Sequence, residues 1–126
     1  LAAMSTRTID DFRARRADGQ SRLEALDHLG INRLLAIDSR TYNDATTDGG
    51  LDERTKELLG LVASTVLRCD DCIAYHVERC VALGFSRREL VDAMSVAYVV
   101  GGSITVPHLR RAVTALDELL EERDGG

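Results

Sequence analysis

Apolar residues recur along this chain at helical spacing, and no stretch alternates as a half-buried strand would. The pattern predicts six to seven helices and an all-α fold, a compact helical bundle. A charged, weak segment near Thr8–Ala17 ends at the turn pair Asp18-Gly19. A second, about Ser21–Leu29, takes Ser21 as its cap and Gly30 as its stop. A third, about Asn32–Tyr42, carries Leu34, Leu35 and Ile37, and a polar loop follows at Asn43–Gly50. The clearest amphipathic helix is Asp52–Leu67, with Leu58, Leu59, Leu61, Val62, Val66 and Leu67 forming a broad apolar face. Asp52 and Glu53 suit its electropositive start.

The fifth segment runs about Asp70–Leu83 and stops at Gly84. Ser86-Arg87-Arg88-Glu89 reads as a capping box opening the sixth. Its continuation, Leu90–Val100, is apolar on nearly all sides, as expected of a central helix or one shared with another subunit. A homo-oligomer is therefore expected. The last helix starts near Pro107, a first-turn position for proline, and frays from Glu121-Glu122-Arg123 onward. The 126 residues fit a single domain, 1–126, with its core at 50–116 and flexible ends at 1–7 and 122–126. Leu1-Ala2-Ala3, ahead of Met4, is set aside from the fold reading.

Composition narrows the function classes. The formal net charge is −5, and the basic residues, all arginine except Lys56, are scattered, so a nucleic-acid role has little support. No run reaches the roughly 18 apolar residues of a membrane span, and the N-terminus lacks a signal peptide's layout. The expected location is the reducing cytoplasm. There, closely spaced cysteines read as redox-active or metal-binding rather than as a structural staple.

Cys69-Asp70-Asp71-Cys72 is such a pair, placed where one helix ends and the next begins. The opening turn of a helix presents unsatisfied N–H groups and a partial positive charge, both of which favour a thiolate, the nucleophilic form. His76 follows Cys72 by four residues, so thiol and imidazole share a helix face one turn apart. An imidazole can take the thiol proton and return it. Cys69, Cys72 and His76 thus form a column of resolving thiol, attacking thiol and base. Glu57 lies on the preceding helix, with the small residues Gly60 and Ser64 on its face. Spacing alone leaves it open whether this carboxylate orients His76 or is a solvated helix charge.

A zinc site is the competing reading, since Cys69, Cys72, His76 and Cys80 look like four ligands in order. One straight helix argues against it: Cys69 and Cys80 would stand roughly 16 Å apart along the axis, whereas zinc ligands lie about 2.0–2.3 Å from the metal. His28 and His108 are isolated and read as surface or packing residues. A thioredoxin fold is disfavoured because no strands flank the cysteines.

Gly50-Leu51-Asp52, Lys56-Glu57-Leu58, Cys69-x-x-Cys72-Ile73, His76, Gly84 and Gly101-Gly102 together resemble the AhpD-like alkylhydroperoxidases of the carboxymuconolactone decarboxylase superfamily. The resemblance covers about Gly50 to Leu116. It implies an all-α fold, homo-oligomers that are often trimers or hexamers, and peroxide- or disulfide-reducing activity with no metal or flavin cofactor. It implies that Cys72 is the peroxidatic thiol, Cys69 the resolving thiol, and His76 with Glu57 the proton relay. The implied partners are a hydroperoxide or disulfide substrate and an external dithiol, a lipoyl-bearing protein among the candidates.

Two departures stand out. Asp70 and Asp71 occupy the gap where better-characterised peroxidases of this type carry a histidine, and two carboxylates there oppose a thiolate by like-charge repulsion. Cys80 stands where a small residue such as alanine is usual and reads as a packed, inert thiol. The rival functions are a non-enzymatic redox sensor, a structural oligomerisation module, and a decarboxylase-like enzyme on the same scaffold. The last would not need both cysteines.

Overall fold

A computed structural model describes residues 7–125. Among them lie six α-helices and two 3₁₀ turns, with no strand, so the expected all-α class holds. The helices are α1 (Thr8–Ala25), α2 (Leu29–Thr41), α3 (Glu53–Leu67), α4 (Asp70–Ala82), α5 (Arg87–Gly101) and α6 (Val106–Asp124). The chain divides into two compact units, the boundary falling between Glu53 and Arg54. The 1–7 end expected to be flexible falls, for residues 1–6, outside the described residues.

In the first unit the sequence reading is corrected at one place. The break expected at Asp18-Gly19 does not occur: α1 runs unbroken through it, merging the first two expected segments. Ser21 therefore caps nothing, and Gly30 lies inside α2 rather than ending a helix. The real boundary is at Asp27, whose φ of 48° turns the chain. His28 then caps α2, its Nδ1 accepting the Ile31 N–H at 3.2 Å. A single glycine inside a helix costs only about 1 kcal/mol. The ion pair of Arg22 with Asp18, one turn apart at 3.0 Å, spans that point. The polar loop holds a 3₁₀ turn, Thr46–Asp48, closed by Gly49 at φ 79°.

The second unit carries the core. α4 packs most extensively against α6. Ile73, Val77, Cys80 and Val81 supply the buried side of α4, and Ala112, Ala115, Leu116 and Leu119 that of α6. These positions repeat at three- and four-residue steps, the signature of a one-sided helix. The capping box at Ser86 is present in full: its hydroxyl accepts the Glu89 N–H at 3.1 Å, and the Glu89 carboxylate accepts the Ser86 N–H at 2.9 Å. Pro107 sits in the first turn of α6, as expected. α6 continues through the stretch expected to fray, as far as Asp124. Arg123 holds it by donating to the Val81 and Phe85 carbonyls at 2.9 and 2.8 Å.

Arg54 ties the start of α3 to the same α4–α5 loop. Its Nε donates to the Leu83 carbonyl at 3.2 Å, and its guanidinium lies 3.7 Å from the Phe85 ring centroid, a cation–π contact. Glu57 follows three residues later and is buried. α5 buries Leu90, Met94 and Ala97 but exposes Val91, Val96, Tyr98, Val99 and Val100. It is therefore not a central helix within this chain. No helix of the described residues is long and apolar enough to cross a membrane.

Leu116 of α6 is fully buried. Its replacement by alanine should cost about 2–5 kcal/mol through lost transfer energy and the cavity left behind. Urea denaturation checks this as a lower midpoint at unchanged slope.

Candidate active site

The turn that joins α3 to α4 is two residues long, Arg68 and Cys69. Arg68 adopts φ 60°, a conformation that costs a non-glycine residue roughly 1 kcal/mol. Backbone bonds from Arg68 N–H to Thr65 O and from Cys69 N–H to Ser64 O, each 3.1 Å, hold it. The chain then reverses directly into α4, with Cys69 as the cap. The Cys69 Sγ accepts the Cys72 N–H at 3.4 Å. The sulfur thus occupies the place usually given to a serine or aspartate oxygen, where the helix start presents its partial positive charge. Cys72 is exposed, Cys69 is half-buried, and neither is in a disulfide.

One turn below Cys72, His76 points inward and is 6% exposed. Its Nδ1 lies 2.8 Å from the Oε2 of Glu57, which is 1% exposed. A carboxylate oxygen can only accept, so in this pairing Nδ1 is the donor. The other carboxylate oxygen, Oε1, lies 3.7 Å from the Arg79 Nε. A carboxylate this deeply buried requires such partners, because desolvation alone would be very costly. The edge of Tyr75 meets the His76 ring at a centroid distance of 5.1 Å.

Gly60 explains how α3 and the imidazole come so close. A Cβ there would lie 2.6 Å from His76 Cε1 and 2.8 Å from both ring nitrogens. The small residues expected to let another helix approach Glu57 do so: Gly60 lies against the His76 ring and Ser64 is buried beside the turn.

Of the four residues singled out, the structure joins Glu57 to His76 side chain to side chain, and Cys69 to Cys72 by an N–H···S bond. Cys72 and His76 stand one turn apart on α4. Cys80 is fully buried, as expected of a packed thiol. Burial, and after it the charge of Glu57, pushes the Cys80 thiol up to about 12, against the opposing pull of Arg54 and Arg79. Among the described residues no three His, Cys, Asp or Glu side chains stand close enough to share a metal.

Sequence reasoning missed two features. Arg79 shares Glu57 with His76, and its position three residues after the histidine was the available signal. His108 is not an isolated surface residue. Its Nδ1 lies 2.7 Å from Asp70 Oδ1, and Arg111 Nε donates to Asp70 Oδ2 at 2.9 Å. Asp70 is therefore not a bare charge beside the thiols.

Two outcomes follow from this geometry. In Gly60→Ala the new methyl collides with a ring already fixed by Glu57. A net loss of about 1–3 kcal/mol is expected despite alanine's better helix propensity, with a displaced His76 imidazole signal by NMR. For Cys80, iodoacetamide at pH 8 should modify Cys69 and Cys72 and leave Cys80 untouched until the protein unfolds, as peptide mass mapping reads out. The Cys80 thiol's contribution to stability is complete below about pH 9 and is lost as pH rises toward 12, since the unfolded thiol ionises near 9.0 and the folded one near 12.

A carboxymuconolactone decarboxylase family model matches residues 34–115. A protein of Paracoccus denitrificans described as uncharacterized protein 4 in the cox locus is 32% identical over 72 residues. Those residues are 57% of this chain and span 65% of that protein's own length. A crystal structure from Thermotoga maritima superposes with a TM-score of 0.85 at 47% identity, covering 92% of this chain and 98% of the other. A second crystal structure of the same Thermotoga maritima protein has a TM-score of 0.82 at 47% identity, covering 91% and 95% of the two chains. It is described as a carboxymuconolactone decarboxylase family protein with a possible involvement in antioxidative response. An apo carboxymuconolactone decarboxylase family protein of Legionella pneumophila has a TM-score of 0.69 at 29% identity, covering 87% and 97%. With most of its length matched by the family model and its fold shared with these structures, the chain belongs to the carboxymuconolactone decarboxylase family.

Proposed function

We propose that this protein is a thiol-dependent oxidoreductase that reduces hydroperoxides or disulfides through Cys69 and Cys72, with Glu57 and His76 as its proton relay. The observation that carries this reading is the buried 2.8 Å pairing of Glu57 with His76, on the helix that opens with the cysteine pair. A surface histidine would need no such partner. A carboxylate fixed on Nδ1 orients the ring and directs its basic nitrogen, the arrangement expected of a general base. The exposure of Cys72 favours it as the attacking thiol, and the sheltered, helix-capping Cys69 suits the resolving role.

The reaction follows from these roles. His76 accepts the Cys72 proton, and the thiolate attacks the distal oxygen of a hydroperoxide. An S–O bond forms, the O–O bond breaks, and the departing alkoxide takes the proton back from His76 to leave as the alcohol. The resulting sulfenic acid is attacked by the Cys69 sulfur, which forms the disulfide and releases water. Two electrons have passed from the dithiol to the peroxide. An external dithiol, such as a lipoyl group on a partner protein, restores the pair by thiol–disulfide exchange. No metal or other cofactor enters these steps. A disulfide substrate would enter by the same exchange, without the sulfenic acid.

The reading places the protein in the reducing cytoplasm, where the pair can cycle. It also includes assembly into a homo-oligomer, a trimer or hexamer, supported by the exposed Val96, Val99 and Val100 of α5. The cysteine pair weighs against decarboxylase chemistry, which has no use for it.

Stopped-flow oxidation with cumene hydroperoxide and dihydrolipoamide tests the proposal. Cys72→Ser should abolish turnover. Cys69→Ser should still consume one equivalent of peroxide and stop at the sulfenic acid, trapped by dimedone. His76→Gln should lower turnover about 10²- to 10⁴-fold, the range of a lost general base, and Glu57→Gln, which leaves the base unoriented, by less. Full activity in Cys72→Ser would overturn the assignment. Reversible disulfide formation without catalytic peroxide consumption would make the protein a redox sensor instead.

A further inference from the structure

Asp70 is the first residue of α4 and the direct neighbour of Cys69. By position alone its charge should oppose a negative sulfur in the same turn. The structure shows what answers it. The two carboxylate oxygens are taken separately by α6: Oδ1 by the His108 Nδ1 at 2.7 Å, and Oδ2 by the Arg111 Nε at 2.9 Å. A carboxylate accepts, so His108 Nδ1 carries a proton. The 3.3 Å approach of the Arg111 guanidinium to that nitrogen is then a contact between two donors, not a hydrogen bond. His108 and Arg111 stand three residues apart and so share one face of α6, the helix most extensively packed against α4.

We infer that His108 and Arg111 are positioning residues of the dithiol: by binding Asp70 on both oxygens they offset its charge at the first turn of α4 and keep the cysteine pair reactive. The inference rests on the proposed redox role of Cys69 and Cys72, and it adds two α6 residues that no motif marks. Arg111 supplies a permanent positive charge, and His108 fixes the carboxylate's orientation. The other charged residues at this turn are Arg68 before Cys69 and Asp71 after Asp70, while Glu57, His76 and Arg79 lie further along the unit.

The sign of two substitutions separates this electrostatic role from simple bracing of the helix. Iodoacetamide modification of Cys69 and Cys72 is followed at pH 7 and low salt in the full-length protein, with far-UV circular dichroism confirming the helical fold. Arg111→Met leaves Asp70 short of its main counter-charge and should slow modification about three- to tenfold. Asp70→Asn removes the opposing charge and should speed it about two- to fivefold. The double variant should return to the wild-type rate or above, and Arg111→Lys, which keeps the charge, should stay within about twofold of wild type. If Asp70→Asn slows modification as much as Arg111→Met, the contacts merely brace the helix and the inference falls. It falls equally if all variants react alike. Peroxide turnover is measured separately. A wild type that consumes no peroxide overturns the proposed function, and the modification rates still decide the role of Arg111 and of the Asp70 charge it offsets.

Discussion

A carboxylate that leaves water must find compensation inside the protein, and Glu57 sets this condition for the second unit. Its 2.8 Å bond to His76 and its approach to Arg79 require α3 and α4 to meet at one relative height and rotation. Gly60 supplies the space and Ser64 keeps the turn compact. Arg54 pins the start of α3 to the α4–α5 loop, and Arg123 reaches Phe85 of the same loop from the end of α6. The buried pair is a poor way to gain stability, since apolar residues of equal size would do as well. Its presence makes sense as chemistry: it fixes which imidazole nitrogen donates to the carboxylate.

Much of this unit was legible in the residues. The capping box at Ser86, the proline at the start of α6 and the cysteines at the opening of α4 are local signals, decided by a few neighbouring residues and their hydrogen bonds. Local signals misled where local energies are small. Asp18-Gly19 reads as a turn, but one glycine cannot stop a helix that continues with good formers and an Arg22–Asp18 ion pair. The true boundary at Asp27 lacks a glycine altogether, and its cap is a histidine, a residue rarely counted among helix caps.

The partners of Asp70 and Glu57 show a different limit. His108 lies 38 residues from Asp70, and Arg111 lies 41 residues away. No periodicity links such positions, and only the packing of α4 on α6 brings them together. A similar limit applies to α5. Its all-round apolar composition is visible in the residues, yet which side meets the core depends on the arrangement of α4 and α6. Leu90, Met94 and Ala97 face inward and the valines at its end do not.

The two-residue link of Arg68 and Cys69 has an evolutionary consequence. An α-helix advances roughly 100° per residue, so one residue inserted into or deleted from this link would swing α4 by about that angle. His76 would then face away from Glu57, and the cysteines would move with it. Lengthening by a whole turn would restore the angle but displace the pair along the axis by about 5 Å. Length variation among relatives with the same Glu–His pairing should therefore gather in other loops, while this joint tolerates exchange of side chains but not of spacing.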